Sequence, residues 1–138
     1  MLRPVALFAA LLVAGQALAH EEEGKSSGQV LGKVNFKTSC SKAVQPKFNR
    51  AVALLHSFWY TESEAAFNEV AAEEPSCTIA YWGVAAILMN NPIAGQGAVG
   101  KGPEKAQAAL EKARANPPKT QRERDYIEAV SAYYKDFG

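Results

Sequence analysis

Few side chains in this sequence have the types and spacing of a catalytic or metal-binding site. It contains two histidines, His20 and His56, whereas metal sites usually need several His, Cys or carboxylate ligands. No Gly-x-Ser-x-Gly motif and no plausible set of Ser, His and Asp indicates an activated nucleophile. We therefore expect no catalytic residue, no cofactor and no resident metal, and we interpret His56 as a packing or hydrogen-bonding residue of a helix.

Two other patterns resemble functional sites only in part. Five glutamates could suggest paired carboxylates, but they fall on the outer face and near the end of a short helix: Glu62, Glu64, Glu69, Glu73 and Glu74. Four glycines over 95–102 could suggest a phosphate loop, yet Lys101-Gly102 is not followed by Ser or Thr and no strand precedes it. We expect a solvated helix face and a surface loop.

The first nineteen residues predict export. The stretch MLRPVALFAALLVAGQALA places Arg3 before an apolar run and ends in small residues, which is typical of a signal peptide cut after Ala19. The run is too short to span a hydrocarbon core of roughly 30 Å. The predicted organisation is a signal peptide over 1–19, a disordered acidic and Gly/Ser-rich tether over 20–32, and a helical domain over 33–138. We expect a periplasmic or secreted chain with no membrane span after cleavage.

The charge balance argues against a nucleic-acid partner. Without Arg3, fourteen basic side chains face fourteen acidic ones. A neutral chain lacks the basic footprint that binds phosphates. The remaining residues are enough for one domain with a modest core.

Cys40 and Cys77 are the two cysteines of the chain. In an exported protein, such a pair favours a disulfide over free thiols, and the absence of a Cys-x-x-Cys motif argues against redox catalysis. An alternative is an exported enzyme or metal-handling protein that uses His56, the cysteine pair or His20. After cleavage His20 would be the N-terminal residue and could chelate copper through its amine and ring.

The elements that must position these residues are predicted to be helices. Apolar residues recur at steps of three and four from Val44 to Trp59, which predicts a first helix. A hydroxyl three residues ahead of a carboxylate, at Thr61 and again at Thr120, predicts the starts of the second and fifth helices.

The middle of the chain predicts two further helices. Residues 79–89 are nearly all apolar, so we expect this helix to be the most buried element. A long Gly-rich loop over 90–102 follows, and Pro103 suits the first turn of the next helix. No strand pattern is present, and the predicted fold class is all-α.

The spacing of small and large residues is repeated along the chain. Intervals of three, nine, four, three and five join Ala51, Leu54, Ser63, Phe67, Val70 and Pro75. The same intervals, with the second lengthened by nine residues at the Gly-rich loop, join Ala85, Leu88, Ala106, Leu110, Ala113 and Pro118. This pattern resembles the tetratricopeptide repeat (TPR). The resemblance covers 44–137 and implies an α-solenoid of two helix-turn-helix repeats plus a lone fifth helix.

Several short stretches are also similar to a group of bacterial exported tetratricopeptide proteins, which are largely uncharacterised and usually longer. These stretches are LLHSFWY, AAFNEVAAEEP and AYWGVA. The resemblance leaves open whether the chain is a short member or a structural segment of a longer, truncated array. The family pattern is not followed everywhere, since Lys47 stands where the first repeat should have an aromatic residue.

The resemblance implies a function in protein interaction rather than catalysis. First helices of such repeats lie side by side, which would bring Cys40 and Cys77 near each other, and they line a concave groove suited to a peptide. Carrying the groove-facing positions over gives Phe48, Val52, His56, Trp82, Met89, Asn90, Arg122, Asp125 and Tyr133. We expect an exported scaffold that binds a protein or peptide of unknown identity.

Overall fold

A computed structural model describes residues 30–137, apart from the side chain of Pro92. Over this range the chain is all-α, with no strand. The described residues form five α-helices: α1 Gln45–His56, α2 Tyr60–Glu73, α3 Ile79–Leu88, α4 Gly102–Ala115 and α5 Gln121–Tyr133. Short 3₁₀ helices span Pro92–Ala94 and Tyr134–Asp136. The predicted signal peptide and most of the predicted tether lie outside the described residues.

The five helices are arranged around α3 as two helix-turn-helix pairs, α1 with α2 and α3 with α4, followed by α5. Helix α1 packs on α2, α2 on α3, and α3 on α4, while α3 also contacts α1 and α5. Seven of the ten residues of α3 are buried, which confirms that this is the most enclosed element. None of the helices within 30–137 is long and apolar enough to cross a membrane.

Helices α2 and α3 approach each other closely at Gly83 of α3. A Cβ atom at this position would overlap the ring of Phe67, a fully buried residue of α2. Glycine inside a helix costs about 1 kcal/mol relative to alanine. At position 83 the absence of a side chain lets the ring of Phe67 pack directly on the backbone of α3.

The end of α1 lies earlier than the apolar pattern predicts. The N–H of Trp59 donates to the carbonyl of Leu54 and that of Phe58 to the carbonyl of Leu55, both at 3.1 Å. Phe58 has a left-handed backbone with φ 59°. These are the features of a Schellman motif, and they end the helix at His56 instead of continuing it to Trp59.

The predicted cap of α2 at Thr61 is wrong. Helix α2 begins one residue earlier, at Tyr60, and no side chain caps it. The turn after α1 makes Trp59 the N-cap residue, and the Trp59 carbonyl accepts from the N–H of Ser63 at 2.9 Å. The hydroxyl of Ser63 is buried and donates to the Ala51 carbonyl at 3.1 Å, so it links α1 to α2.

The predicted starts of the last two helices are confirmed. Helix α4 carries a proline in its first turn, at Pro103. Thr120 is the N-cap of α5, and its side-chain oxygen accepts from the N–H of Glu123 at 3.3 Å. Helix α5 turns its large apolar residues inward: Ile127 and Val130 are 7% and 8% exposed.

The predicted disulfide is also confirmed. The sulfur atoms of Cys40 and Cys77 are 2.04 Å apart. Cys40 precedes α1 and Cys77 precedes α3, so the bond joins the starts of two helices that the repeat pattern treats as equivalent. It also fixes the end of the non-helical segment that enters the domain.

Candidate functional site

The nine predicted groove residues differ widely in exposure. Three are buried, and their assignment to an accessible surface is wrong: Phe48 at 0%, Val52 at 2% and Trp82 at 8% exposure. Three are half-buried, namely Met89, Asn90 and Tyr133. Three are exposed, namely His56, Arg122 and Asp125. All three buried residues lie on the first helices of the two pairs, α1 and α3.

The ring of Phe36 covers two of the buried residues. Its centroid lies 5.3 Å from the ring of Phe48 on α1, 5.6 Å from Trp82 on α3 and 5.1 Å from Tyr126 on α5. The guanidinium carbon of Arg122 lies 4.2 Å from the centroid of Phe36, within the range of a cation–π contact. Phe36 therefore sits in an aromatic site built by three helices.

Phe36 belongs to a non-helical stretch, residues 34–39, which we call the leading segment. Helix α1 binds its main chain through two side-chain amides. The Oδ1 of Asn49 accepts from the N–H of Phe36 at 3.3 Å, and the Nε2 of Gln45 donates to the Phe36 carbonyl at 2.8 Å. The Oε1 of Gln45 accepts from the N–H of Thr38 at 3.0 Å and from its hydroxyl at 2.8 Å.

Helix α5 binds the same main chain from its other side. The Nη1 of Arg122 donates to the Lys37 carbonyl at 2.9 Å. The Oε1 of Glu123 accepts from the N–H of Ser39 at 2.7 Å. Within the described residues, α1 and α5 do not pack on each other. The leading segment bridges them.

Glu123 is a carboxylate with 1% exposure. Burial by itself raises the pKa of such a group. The hydrogen bonds from Ser39 and Thr120 outweigh burial, and the pKa of Glu123 lies below its ordinary value. The oxygen that does not bind Ser39 accepts from the Thr120 hydroxyl at 2.7 Å. Near neutral pH the site therefore presents a fixed negative charge to the N–H of the leading segment.

Two contacts anchor the chain just after the leading segment. Cys40 is bonded to Cys77 at the start of α3. The N–H of Ser41 donates to the carboxylate of Glu74, with both oxygens at 3.1 Å. The segment thus enters the domain between α1 and α5 and is held at its C-terminal end.

No known family, curated protein or solved structure matches this chain.

An open cleft adjoins the bound segment on α5. It has a volume of about 620 Å³ and is lined by Gln121, Arg122, Asp125, Tyr126 and Ala129. Two of these residues, Arg122 and Tyr126, also contact Phe36. The structure thus brings the predicted residues Arg122 and Asp125 together at an accessible surface beside the leading segment.

The remaining predicted residues stand at the other ends of the same helices. His56 is the last residue of α1, Met89 and Asn90 follow the last residue of α3, and Tyr133 is the last residue of α5. The hydroxyl of Tyr133 accepts from the N–H of Ala98, at 3.2 Å, so its polar atom ties the Gly-rich loop to α5. The leading segment contacts the starts of these helices, and these four residues are not part of its site.

Sequence reasoning missed the residues that bind the leading segment. Phe36, Gln45 and Asn49 were assigned no role, and Glu123 was interpreted as a capping residue alone. A lone Phe in a polar stretch was the available signal. Leu31 was assigned to the disordered tether over 20–32, but it is half-buried and packs against the core.

The metal-handling alternative depended on the two histidines and the cysteines. Within residues 30–137, no group of three or more His, Cys, Asp or Glu side chains is arranged to hold a metal ion. His20 lies outside the described residues, and copper binding there stays a prediction.

Proposed function

We propose that this protein is an exported interaction module of the tetratricopeptide type. It binds a non-helical peptide segment of a partner protein along α1, α3 and α5. The observation that carries the proposal is the leading segment, whose main chain is bound by side chains of α1 and α5 while its aromatic residue contacts all three helices. Main-chain hydrogen bonds combined with a side-chain site are a recurring mode of peptide recognition.

The tetratricopeptide identity of the repeats belongs to the proposal. It is supported by the helix-turn-helix pairs and by the burial of most of the residues that the interval pattern selects. Ala51, Phe67 and Val70 of the first pair are each buried at 1% exposure or less, as are Ala106 and Leu110 of the second. Small residues at helix contacts and large ones between them are what the repeat requires.

Export is supported by the cysteine chemistry. Disulfides persist in the periplasm and outside the cell, whereas cytosolic thiols are kept reduced. A bond between Cys40 and Cys77 fits such a compartment. The predicted cleavage after Ala19 is a separate test, which N-terminal sequencing of the purified protein would provide.

Site-specific photo-crosslinking in the producing cells tests the function. A photoreactive amino acid replaces Asp125, which is exposed on the open cleft, and in a matched control it replaces Glu104, which is exposed on α4. We expect a defined adduct, identified by mass spectrometry, from position 125 and not from position 104. No adduct at position 125, or the same adducts at both positions, would contradict a partner site on this groove.

A further inference from the structure

We propose that the leading segment is a built-in pseudo-ligand, which a partner peptide must displace to enter the groove. The inference rests on the proposed function and adds the chemistry of the ligand. The peptide that fits carries an aromatic residue at the position of Phe36 and Ser or Thr two residues later. The residue between them is unrestricted.

The contacts of the leading segment define this pattern. Three of its side chains contact the rest of the domain: Val34 packs against the core, the ring of Phe36 lies in the aromatic site, and the hydroxyl of Thr38 donates to Gln45. The side chain of Lys37 is exposed, and its carbonyl is the group that Arg122 binds. Ser39 contributes its N–H to Glu123. An aromatic residue, any residue and a hydroxyl residue therefore satisfy the same groups.

The helices keep a packed core beneath the leading segment. The ring of Phe48 lies 5.6 Å from that of Phe67, and the ring of Phe67 lies 6.3 Å from that of Trp82, so Phe67 joins the other two rings without Phe36. Withdrawal of the segment would leave the contacts between helices in place. It would expose the outer faces of Phe48 and Trp82 to water, and such an aromatic surface favours a replacement ligand.

The attachment of the leading segment sets the conditions for displacement. It is linked to α1 by the chain and to α3 by the Cys40–Cys77 bond. A tethered ligand acts at an effective concentration on the order of millimolar. A free peptide of similar affinity should therefore bind the wild-type protein weakly, and weakening the segment should reveal the groove.

A peptide titration under non-reducing conditions tests this. The probe is a fluorescent peptide that copies residues 33–39, KVNFKTS, and binding is followed by anisotropy. The full chain carrying Phe36→Ala loses the ring that fills the aromatic site, whereas the matched control Lys37→Ala changes only an exposed side chain of the same segment. We expect Phe36→Ala to bind the probe at least ten times more tightly than the wild type or Lys37→Ala.

Two altered probes test the recognition pattern. Replacing phenylalanine by alanine in the peptide should weaken binding to the Phe36→Ala protein at least tenfold. Replacing threonine by valine, which keeps the shape and removes the hydroxyl, should weaken it severalfold. Equal binding of all three peptides would overturn the proposed pattern.

Circular dichroism decides between a pseudo-ligand and an integral part of the core. A folded Phe36→Ala chain that does not bind the probe overturns the inference. Loss of helical signal in that variant overturns it as well, because the helices should stay folded when a pseudo-ligand is withdrawn.

If crosslinking at position 125 succeeds and the titration fails, the partner binds beside the segment and only this inference is lost. If the titration succeeds and crosslinking fails, the groove serves its own segment and the proposed function is lost.

Discussion

Glu123 connects the leading segment to the start of α5 through one carboxylate. It accepts from the N–H of Ser39 at 2.7 Å and from the hydroxyl of Thr120 at 2.7 Å, and it is 1% exposed. Hydrogen bonds to a charged acceptor are stronger than those between neutral groups. The charge of this residue should therefore contribute measurably to stability.

We predict that Glu123→Gln lowers the free energy of unfolding at pH 7 by about 1.5–3 kcal/mol, the range for hydrogen bonds to charged groups. Urea unfolding followed by circular dichroism measures this. Glu128→Gln is the matched control, since Glu128 is exposed on the same helix, and should change stability by less than about 0.5 kcal/mol. Equal effects of the two substitutions would contradict the role of the Glu123 carboxylate.

The same residue predicts a pH dependence. The pKa of Glu123 is lower in the folded protein than in the unfolded chain, so its stabilising contribution is present above the unfolded pKa of about 4.3. That contribution is lost as the pH falls through the folded pKa, because the unfolded chain then binds more protons. The stability difference between the wild type and Glu123→Gln should shrink below about pH 4.3, and a constant difference would argue against it.

At the scale of elements, the turn between α1 and α2 holds a bulky residue in an unfavourable backbone conformation. Phe58 occupies the left-handed position of the Schellman motif, with φ 59°. Glycine is the usual residue at this position because it has no Cβ. Phe58 is 52% exposed, and its ring lies 6.4 Å from that of Tyr60. Burial of this side chain therefore offsets little of the cost of the left-handed conformation.

We predict that Phe58→Gly raises the free energy of unfolding by about 0.5–1 kcal/mol. The left-handed conformation costs a residue other than glycine about 1–2 kcal/mol, and the greater freedom of glycine in the unfolded chain offsets part of the gain. Asn90→Gly is the matched control, because Asn90 has φ 63° at the end of α3 and asparagine tolerates this region. A smaller gain is expected there. A loss of stability in Phe58→Gly would show that the exposed ring contributes more than the turn costs.

At the scale of the whole molecule, the leading segment makes the contacts that are most distant in sequence. Helices adjacent in the chain pack on one another, whereas Arg122 and Lys37 are 85 residues apart and Glu123 and Ser39 are 84 apart. The disulfide adds a link between the segment and α3. The leading segment, which lies outside the two helix pairs, thus links α1 to α5.

We predict that the double substitution Cys40→Ser and Cys77→Ser lowers the free energy of unfolding by about 3–4 kcal/mol. The bond closes a loop with a sequence separation of 37 residues, and a cross-link over such a loop restricts the unfolded chain by roughly that amount. Chemical denaturation of the variant, and of the wild type with and without a thiol reductant, measures the effect. A difference below about 1 kcal/mol would exclude a major stabilising role.

Local sequence patterns were sufficient to place the helices, whereas the disulfide was predicted from the presence of two cysteines in a chain expected to be exported. Apolar spacing placed the helices because every third or fourth residue faces the same side. The Thr120 cap and the proline of α4 involve residues within one turn of each other, so their partners can be identified along the sequence. The same local logic misplaced the Thr61 cap, because a Schellman motif at Phe58 ended α1 early and moved the start of α2.

The sequence by itself thus determined an all-α domain, its helices and its cysteine pair. Only the tertiary structure decided which groove residues are accessible. Phe36 lies in a stretch without periodicity, yet it covers Phe48 and Trp82. Its main chain is bound by α1 and α5, which do not pack on each other within the described residues. The physical reason is that periodicity shows which face of a helix is apolar, but the segment that covers that face is selected by long-range contacts.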